Sequence, residues 1–203
     1  MQARRASGER TFTEEARRAQ IVAAAIETVA ELGYARASFT RIAKRAGLSS
    51  TGLISYHFAG KDDLVRQVAT DVLNEFAAFV RPLVNAETTA AGVLRVWWQA
   101  NVAFMRDHRR PLIALLDIMS NVRVEDLGEV PDSYESDLSA LAQLFRDGQA
   151  AGEFRAFDPS VMAVAVRSVR DGLLRQLAAH PDLDLDTYAR DLVVLFDLAT
   201  TGG

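Results

Sequence analysis

The sequence predicts an all-α fold of about nine helices, and three features of the 203-residue chain support this fold class. Apolar residues recur at spacings of three and four over most of the chain, which is the period of an amphipathic helix. No segment alternates apolar and polar residues as a half-buried strand does. Glycines and prolines separate the helical segments, as at Gly33, Pro82 and Gly152.

The first predicted helix follows a short polar arm. Residues 1–12 lack periodicity and carry several arginines, so we predict a flexible basic arm. A helix then begins at Thr13, and its apolar residues follow the i, i+3, i+4, i+7 pattern as far as Gly33. We expect this helix to form one wall of a small N-terminal domain that spans residues 13–61.

Residues 38–63 predict a helix, a sharp turn and a second short helix. Ser38 is placed to cap the first helix, and Gly47 suits the left-handed conformation that ends it. The second helix is predicted over Thr51–His57, and its outer face carries small or hydroxyl-bearing residues, namely Ser50, Thr51, Ser55 and Tyr56. Two short helices with this arrangement form the helix-turn-helix that enters a DNA major groove.

The same region resembles the DNA-binding domain of TetR-type transcriptional repressors. The resemblance covers Glu14–Val72 and rests on motif parts in the family's order: Ile42-Ala43, Ala46-Gly47-Leu48-Ser49, Tyr56-His57-Phe58 and Gly60-Lys61-Asp62-Asp63-Leu64. The turn is one residue longer than the family usually has. We place the additional residue before Gly52 and expect Ser49 or Ser50 to cap the second helix.

Ten residues of this region are candidates for DNA contact: Ser38, Arg45, Ser50, Thr51, Gly52, Leu53, Ser55, Tyr56, His57 and Lys61. The resemblance implies that the Tyr56 hydroxyl contacts a phosphate; the alternative is a partly buried surface aromatic. Lys61 lies at a predicted helix N-terminus, which favours a phosphate, or else it is a solvated surface lysine. Leu53 is either a core residue or a contact to a thymine methyl group. Arg41 and Arg45 either reach phosphates or are solvated.

The distribution of charge supports a polyanionic partner at one end of the protein. The net charge of −4 by itself argues against nucleic acid. However, residues 1–61 contain ten Lys or Arg against five Asp or Glu, whereas residues 62–203 contain thirteen against twenty-two. A basic N-terminal third on an acidic body suits a protein that presents one end to DNA. The alternative is a chance fluctuation of surface charge.

Residues 62–203 are predicted to form a helical body for ligand binding and dimerisation. A long helix from Asp62 to Val80, ended by Pro82, joins this body to the N-terminal domain. Asp158 and Pro159 have the pattern of a cap and a first-turn residue, and Pro111 is also placed as a first helical residue. The remaining segments are helices over Ala90–Asp107, Leu112–Val122, Ser133–Ala151, Val161–Ala179 and Asp186–Thr200, with a polar loop over Arg123–Asp132.

The helix Val161–Ala179 carries two non-polar stripes, one of large residues and one of the small residues Ala165, Ser168 and Gly172. One stripe can face the subunit core while the other, with Tyr188–Ala199, meets a two-fold copy in a homodimer. The resemblance implies dimerisation through the last two long helices. The alternative is a helix at the centre of a monomer core. In the last helix, Tyr188, Leu192, Leu195 and Phe196 are predicted to point inward.

The helix Ala90–Asp107 is the predicted wall of a pocket for a small-molecule inducer. Aromatic residues and one inward amide suit a largely apolar pocket with few orienting groups. The candidate ligand-binding residues are Trp97, Trp98, Asn101, Phe104, Met105, Met119, Phe145, Arg167 and Asp171, the last two supplying charge. The alternative is plain core packing, because a helical bundle needs large residues in any case.

Several other classes of function lack their sequence features. The absence of cysteine excludes disulfides and thiol chemistry. No serine-hydrolase elbow, dinucleotide fingerprint or zinc-protease motif occurs, and His57, His108 and His180 have no acidic partner pattern. We therefore expect no catalysis, metal or cofactor. We also find no secretory signal and no apolar run of the ~18 residues that a membrane span needs, so we expect a cytoplasmic protein without membrane contact.

The sequence therefore predicts a DNA-binding transcriptional regulator. We expect a homodimeric repressor that binds a palindromic double-stranded operator and is released by a small-molecule inducer. An all-α ligand-binding protein that acts through a protein partner is the alternative, and an enzyme that uses the acidic helical body is a third. Activator and repressor are not distinguished by the sequence, and neither the operator sequence nor the inducer can be named from it.

Overall fold

The computed structural model describes residues 12–122, 133–180 and 182–201. Of the predicted basic arm only Phe12 lies within these ranges, and the predicted loop Arg123–Asp132 lies outside them. The described residues form nine α-helices and a short 3-10 turn, Tyr34–Arg36: α1 Phe12–Leu32, α2 Phe39–Arg45, α3 Gly52–His57, α4 Lys61–Asn85, α5 Ala90–Asp107, α6 Arg109–Asn121, α7 Ser133–Ala150, α8 Pro159–Ala179 and α9 Leu185–Thr201. This confirms the predicted all-α fold.

The N-terminal helices form a small core whose limits follow from local sequence signals. Ile21 on α1, Ile42 on α2 and Ile54 on α3 are almost fully buried. The Ser38 hydroxyl accepts a hydrogen bond from the Arg41 amide at 3.4 Å, as expected for the cap of α2. Gly47, with φ of 65°, adopts the left-handed conformation that ends this helix.

The start of α3 differs from the prediction. The helix begins at Gly52, and the capping position is Thr51 rather than Ser49 or Ser50. The Thr51 side chain makes no capping hydrogen bond. The backbone of Thr51 already has helical angles, so its hydroxyl is not presented to the first turn as the side chain of an extended capping residue would be. The residues between Leu48 and Gly52 therefore lengthen the turn and leave the helix itself short.

Two prolines do not limit helices where the sequence predicted. Helix α4 continues past Pro82 to Asn85, because the proline backbone angle is compatible with a helix and only one hydrogen bond is lost in the last turn. Helix α6 begins at Arg109, two residues before Pro111. The first N–H groups of a helix have no intrahelical partner, so a proline there removes nothing.

Helices α5 to α9 form the body, in which α5 packs against α9 and α7 against α8. The indole of Trp98 stacks on Phe196 with ring centroids 5.1 Å apart, and Asp158 caps α8 through the amides of Ser160 and Val161. Leu195 and Tyr188 were predicted to point inward, but they are 52% and 37% exposed, because α9 turns the face of Leu192 and Phe196 to the core.

Helix α1 packs against α6 and so joins the N-terminal domain to the body in addition to the continuous helix α4. None of the helices in these ranges is long and apolar enough to span a membrane. Among the same residues, no three His, Asp or Glu side chains are grouped as metal ligands would be.

Candidate nucleic-acid interface and ligand site

The outer face of α3 presents the predicted base-reading residues to solvent. Ile54 is fully buried and anchors the helix, whereas Leu53 is 37% and Tyr56 is 72% exposed. Leu53 is therefore a surface residue and not part of the core. Ser50, Gly52 and Ser55 are also exposed, and Thr51 is half-buried. A short helix with a buried inner edge and an exposed hydroxyl-bearing edge has the shape of a major-groove reader.

Arg18, which sequence analysis overlooked, holds the end of this helix in place. Its guanidinium donates to the carbonyl oxygen of His57 at 2.7 Å and to the Gln67 side chain at 2.6 Å, and it lies 4.1 Å from the centroid of the Phe58 ring. Arg18 thus connects α1 to the end of α3 and to α4. No local motif indicates this role, because the partners lie 39 and 49 residues away in the sequence.

Two of the predicted phosphate-binding side chains have acidic neighbours. The Tyr56 hydroxyl donates to Glu14 at 3.1 Å, and the Arg45 guanidinium pairs with Glu31. Both Arg45 and Glu31 are exposed, so their ion pair contributes at most about 1 kcal/mol. A DNA phosphate, which carries a full charge in a dense array, can displace such carboxylates.

Lys61 begins α4, and its side chain turns back toward the 3-10 turn. Its ammonium donates to the Tyr34 carbonyl oxygen at 2.5 Å and lies 3.8 Å from the centroid of the Tyr34 ring. Burial lowers the pKa of the Lys61 ammonium, while the carboxylates of Asp62 and Asp117 act in the opposite direction. Lys61 is therefore half-buried rather than a fully solvated lysine, and it lies at the N-terminal end of a long helix, which favours anions.

The other predicted DNA contacts have mixed surroundings. The Ser38 hydroxyl caps α2, so it is already engaged within the protein. The Ser55 hydroxyl donates to the Thr51 carbonyl at 3.4 Å. The His57 ring packs edge-on against Tyr56, with centroids 5.0 Å apart. All ten candidates belong to the segment that runs from the capping residue of α2, through α3, to the first residue of α4.

The aromatic residues predicted to line a ligand pocket are packed as core. Trp98, Phe104 and Phe145 are fully buried, and Met105 is 2% exposed. Phe104 stacks on the His108 ring at 3.9 Å. Met119 is 41% exposed, so its predicted place in an interior pocket is wrong. Helix α6 buries Leu115 and Ile118, and the next position turns about 100° away from that face.

A polar network lies next to this core and contains three of the predicted ligand-binding residues. The Asn101 amide donates to the Trp97 carbonyl at 2.8 Å and accepts from Arg170 Nε at 3.0 Å. Arg170 and Arg167 both pair with Asp171, at 3.2 and 3.3 Å, and Arg167 also pairs with Asp137 at 3.4 Å. Arg170 and Asp137 were not predicted, because their contacts to Asn101 and Arg167 join different helices, and the spacing of residues within one helix does not indicate such contacts.

The two arginines of this network are unusually well buried for charged side chains. Arg167 and Arg170 are only 7% and 8% exposed, and the Arg170 guanidinium lies 5.1 Å from the centroid of the Phe76 ring on α4. Burial raises the pKa of the Asp137 and Asp171 carboxyls, and the Arg167 charge opposes this shift. Charged groups removed from water in this way are typical of functional sites as well as of structural ion networks.

Two cavities in the described part of the chain lie next to residues of interest. One, of about 10 Å³, lies between α5 and α9 beside Trp98 and Thr200 and has room for about one water molecule. The other, of about 320 Å³, opens between α1 and α6 and is lined by Val29, Ala30, Gly33, Ile113, Leu116, Asp117, Ser120 and Ala178. The second cavity lies where the N-terminal domain meets the body, outside the predicted ligand pocket.

Comparison with known proteins identifies the family. Residues 21–68 match the family model described as bacterial regulatory proteins, tetR family. The HTH-type transcriptional regulator BetI of Cronobacter sakazakii is 30% identical over 187 residues, which cover 89% of this chain and 88% of that protein. BetI 1 of Chromohalobacter salexigens is 46% identical over 57 residues, so the match spans only 28% of its length.

A solved structure supports the fold over almost the whole chain. The transcriptional regulator FadR from Bacillus subtilis, in complex with stearoyl-CoA, superposes with a TM-score of 0.74 at 20% identity, over 87% of this chain and 96% of that one. These relatives are transcriptional regulators and not enzymes. With a helix-turn-helix at one end and a match to BetI along nearly its full length, the chain belongs to the tetR family of bacterial regulatory proteins.

Proposed function

We propose that this DNA-binding regulator represses transcription as a homodimer on an inverted-repeat operator and is released when a small molecule binds its helical body. The observation that carries the proposal is the outer face of α3, where Leu53 and Tyr56 are exposed beside serine and threonine hydroxyls although Ile54 anchors the helix in the core. Because its target is chromosomal DNA, we place its action in the cytoplasm.

A gel-shift and footprinting experiment on the DNA that flanks its own gene tests this function. We expect the purified protein to protect one inverted repeat, and excess unrelated DNA should not abolish the complex. Loss of protection in the variant Leu53→Asp, with an unchanged circular dichroism spectrum, would assign the contact to α3. If no flanking fragment is retarded but the purified chain binds another protein, the alternative is favoured, namely a ligand-binding protein that acts through a protein partner and not through DNA.

The proposal of a homodimer rests on apolar side chains that remain exposed on the last two helices. Val161 and Val164 on α8 are 68% and 46% exposed, and Val194, Leu195 and Leu198 on α9 are 52%, 52% and 65% exposed. A soluble protein rarely leaves such a group of side chains in water without a partner. A two-fold copy of the same helices is the occupant that covers all of them.

We place the ligand beside the network of Asn101, Arg167, Arg170 and Asp171, on the side of α5 that carries Trp97. The aromatic core supplies apolar contacts and the arginines supply orienting charge, a combination suited to a molecule with an apolar part and an anionic group. The relative FadR was solved with stearoyl-CoA, which has both parts, so long-chain acyl-CoA is the first probe to use. Because the core is closed in this form, binding requires Trp97 or its neighbours to move.

The variant Asn101→Leu tests this placement. It removes the amide that accepts from Arg170, so we expect the response of the DNA complex to stearoyl-CoA to be lost or altered. Operator affinity without ligand should stay near wild type. If both quantities change together, or if neither does, Asn101 has a structural role only and the ligand binds elsewhere.

A further inference from the structure

A chain of contacts connects α6 of the body directly to the end of the DNA-reading domain. The Tyr34 amide donates to Asp117 Oδ2 on α6, and the Tyr34 carbonyl accepts from the Lys61 ammonium at 2.5 Å. Asp117 is itself oriented by the Asn121 amide, which donates to its other oxygen at 3.1 Å. One residue of the 3-10 turn is therefore held by the body on one side and holds Lys61 on the other.

The packing of α1 against α6 is interrupted beside Asp117. A cavity of about 320 Å³ opens between the two helices there, and Asp117 is one of its lining residues. Another polar link between these helices joins Arg110 to Glu27 at 2.5 Å. Both side chains are largely exposed, at 49% and 39%, so this ion pair contributes little. The hydrogen bond that Asp117 accepts from the Tyr34 amide therefore ties the 3-10 turn to α6 at a place where the packing is incomplete.

From its charge alone, the Asp117 carboxylate is expected to weaken DNA binding. A carboxylate near Lys61 repels phosphate, so its removal should strengthen DNA binding by simple electrostatics. The geometric and electrostatic roles of Asp117 therefore predict opposite effects of the same substitution, and this makes them separable.

We propose that Asp117 is a positioning residue for DNA binding: by accepting the Tyr34 amide it sets the place of the Tyr34 carbonyl and ring, and through them the place of Lys61 and the start of α4. This inference rests on the proposed function. It gives α6 a direct connection to the reading head that does not run along α4. A ligand that shifts α6 would break this connection at a single hydrogen bond next to an existing cavity.

The test compares three substitutions in the full-length protein by fluorescence anisotropy on the footprinted operator fragment. Asp117→Ala removes the acceptor, and we expect affinity to fall about five- to tenfold, the effect of losing one ordering hydrogen bond. Asp117→Asn removes the charge but keeps an acceptor oxygen, so its affinity should stay within about twofold of wild type or increase. Arg110→Ala breaks only the Glu27 pair and should leave affinity unchanged.

Amide hydrogen exchange at Tyr34 supplies a second readout that does not depend on DNA. Exchange should accelerate in Asp117→Ala and stay slow in Asp117→Asn. If Asp117→Ala does not fold, Asp117→Leu serves in its place, because leucine also lacks an acceptor and adds apolar volume beside the cavity that Asp117 lines. The proposal is overturned if the variant without an acceptor binds as tightly as wild type or more tightly, or if Asp117→Asn loses as much as Asp117→Ala. Failure of the wild type to bind any flanking DNA would instead contradict the proposed function.

Discussion

At the scale of single residues, several side chains that are predicted to contact DNA already have partners within the protein. Tyr56 donates to Glu14, Arg45 pairs with Glu31, and Lys61 donates to a backbone carbonyl. The first two partners are carboxylates near the surface, whose attraction is weakened by water and salt. In the DNA complex that we propose, these weak internal contacts are exchanged for phosphate contacts, and the net affinity depends on the ions released from the DNA.

The first prediction concerns this exchange. Lys61→Ala and Tyr56→Phe should weaken binding to operator and to unrelated DNA alike, because phosphate contacts carry no sequence information. Each lost ionic contact should reduce the slope of log affinity against log salt by about 0.9. The change in slope applies to Lys61→Ala, since Tyr56→Phe removes no charge. Arg190→Ala, on the exposed part of α9, is the matched control. An affinity that does not change with salt would contradict this reading of the surface.

The second prediction concerns the half-buried carboxyl of Asp137. Its pKa is raised in the folded protein, so the native state holds the proton more tightly than the unfolded chain. The free energy of unfolding contributed by this group therefore falls as pH rises from the ordinary aspartate pKa through the raised one. Because asparagine resembles the protonated acid, the stability of wild type relative to Asp137→Asn should fall with rising pH.

Urea unfolding across a series of pH values measures this difference, and Asp184 provides a control of opposite sign. Hydrogen bonds from Thr187 lower the pKa of Asp184, so its contribution is present above the ordinary aspartate pKa and is lost as pH falls. Wild type relative to Asp184→Asn should thus gain stability as pH rises. Equal slopes for both variants would show that the Asp137 effect is not local.

At the scale of elements, local signals predicted the helices well. The caps at Ser38 and Asp158 are formed as expected, and α5 has the predicted limits, Ala90–Asp107. These features depend on residues within one turn of each other, so a single sequence contains them. Errors arose at Pro82 and Pro111, where proline was assumed to set a boundary. Pro111 lies in a first turn and removes no hydrogen bond, and Pro82 lies in a last turn and removes only one.

Long-range contacts could not be predicted in the same way. Arg18 reaches the carbonyl of His57, Arg170 reaches Asn101 across 69 residues, and Tyr34 reaches Asp117 across 83. Each of these contacts depends on how helices pack, and the spacing of residues within one helix does not contain that information. For the same reason the sequence identified aromatic residues of α5 without showing that they are closed into the core.

The third prediction tests the turn between α2 and α3. Gly47 has φ of 65°, which costs a residue with a side chain roughly 1–2 kcal/mol, whereas Gly60 has φ of −177°, which any residue adopts. A side chain meets nothing within 4 Å at either position. Gly47→Ser should therefore lower the free energy of unfolding by about 1 kcal/mol, and Gly60→Ser should leave it unchanged or raise it slightly by capping α4. Urea unfolding of both variants distinguishes backbone strain from a general effect of adding a side chain.

At the scale of the whole molecule, the basic charge and the exposed apolar side chains lie in different parts of the chain. The N-terminal third is basic and carries the exposed reading helix, and the last two helices expose apolar side chains on an acidic body. A two-fold axis along α8 and α9 would bury the apolar surface and duplicate the reading helix. Two reading helices on one face of a duplex require half-sites about 34–36 Å apart, or a multiple of that distance.

The fourth prediction tests this arrangement with Leu198, which is 65% exposed on α9. In a two-fold interface each substitution occurs twice, so Leu198→Glu places two desolvated and mutually repelling carboxylates in or near the contact. We expect light scattering to show a dimer for wild type and a monomer for Leu198→Glu, with an unchanged helical spectrum. Operator affinity should fall steeply in the same variant although no DNA-facing residue has changed, because a single head gains only half of the contacts.

Leu83→Glu is the matched control, because Leu83 is also an exposed leucine, 44% accessible, but lies near the end of α4. It should remain dimeric and bind the operator normally. If Leu198→Glu remains a dimer, or if Leu83→Glu becomes a monomer, the proposed interface on α8 and α9 is wrong. Footprinting decides the remaining point: two protected half-sites related by a dyad are required if the two heads act together, and one asymmetric half-site would mean that DNA binding needs no second copy.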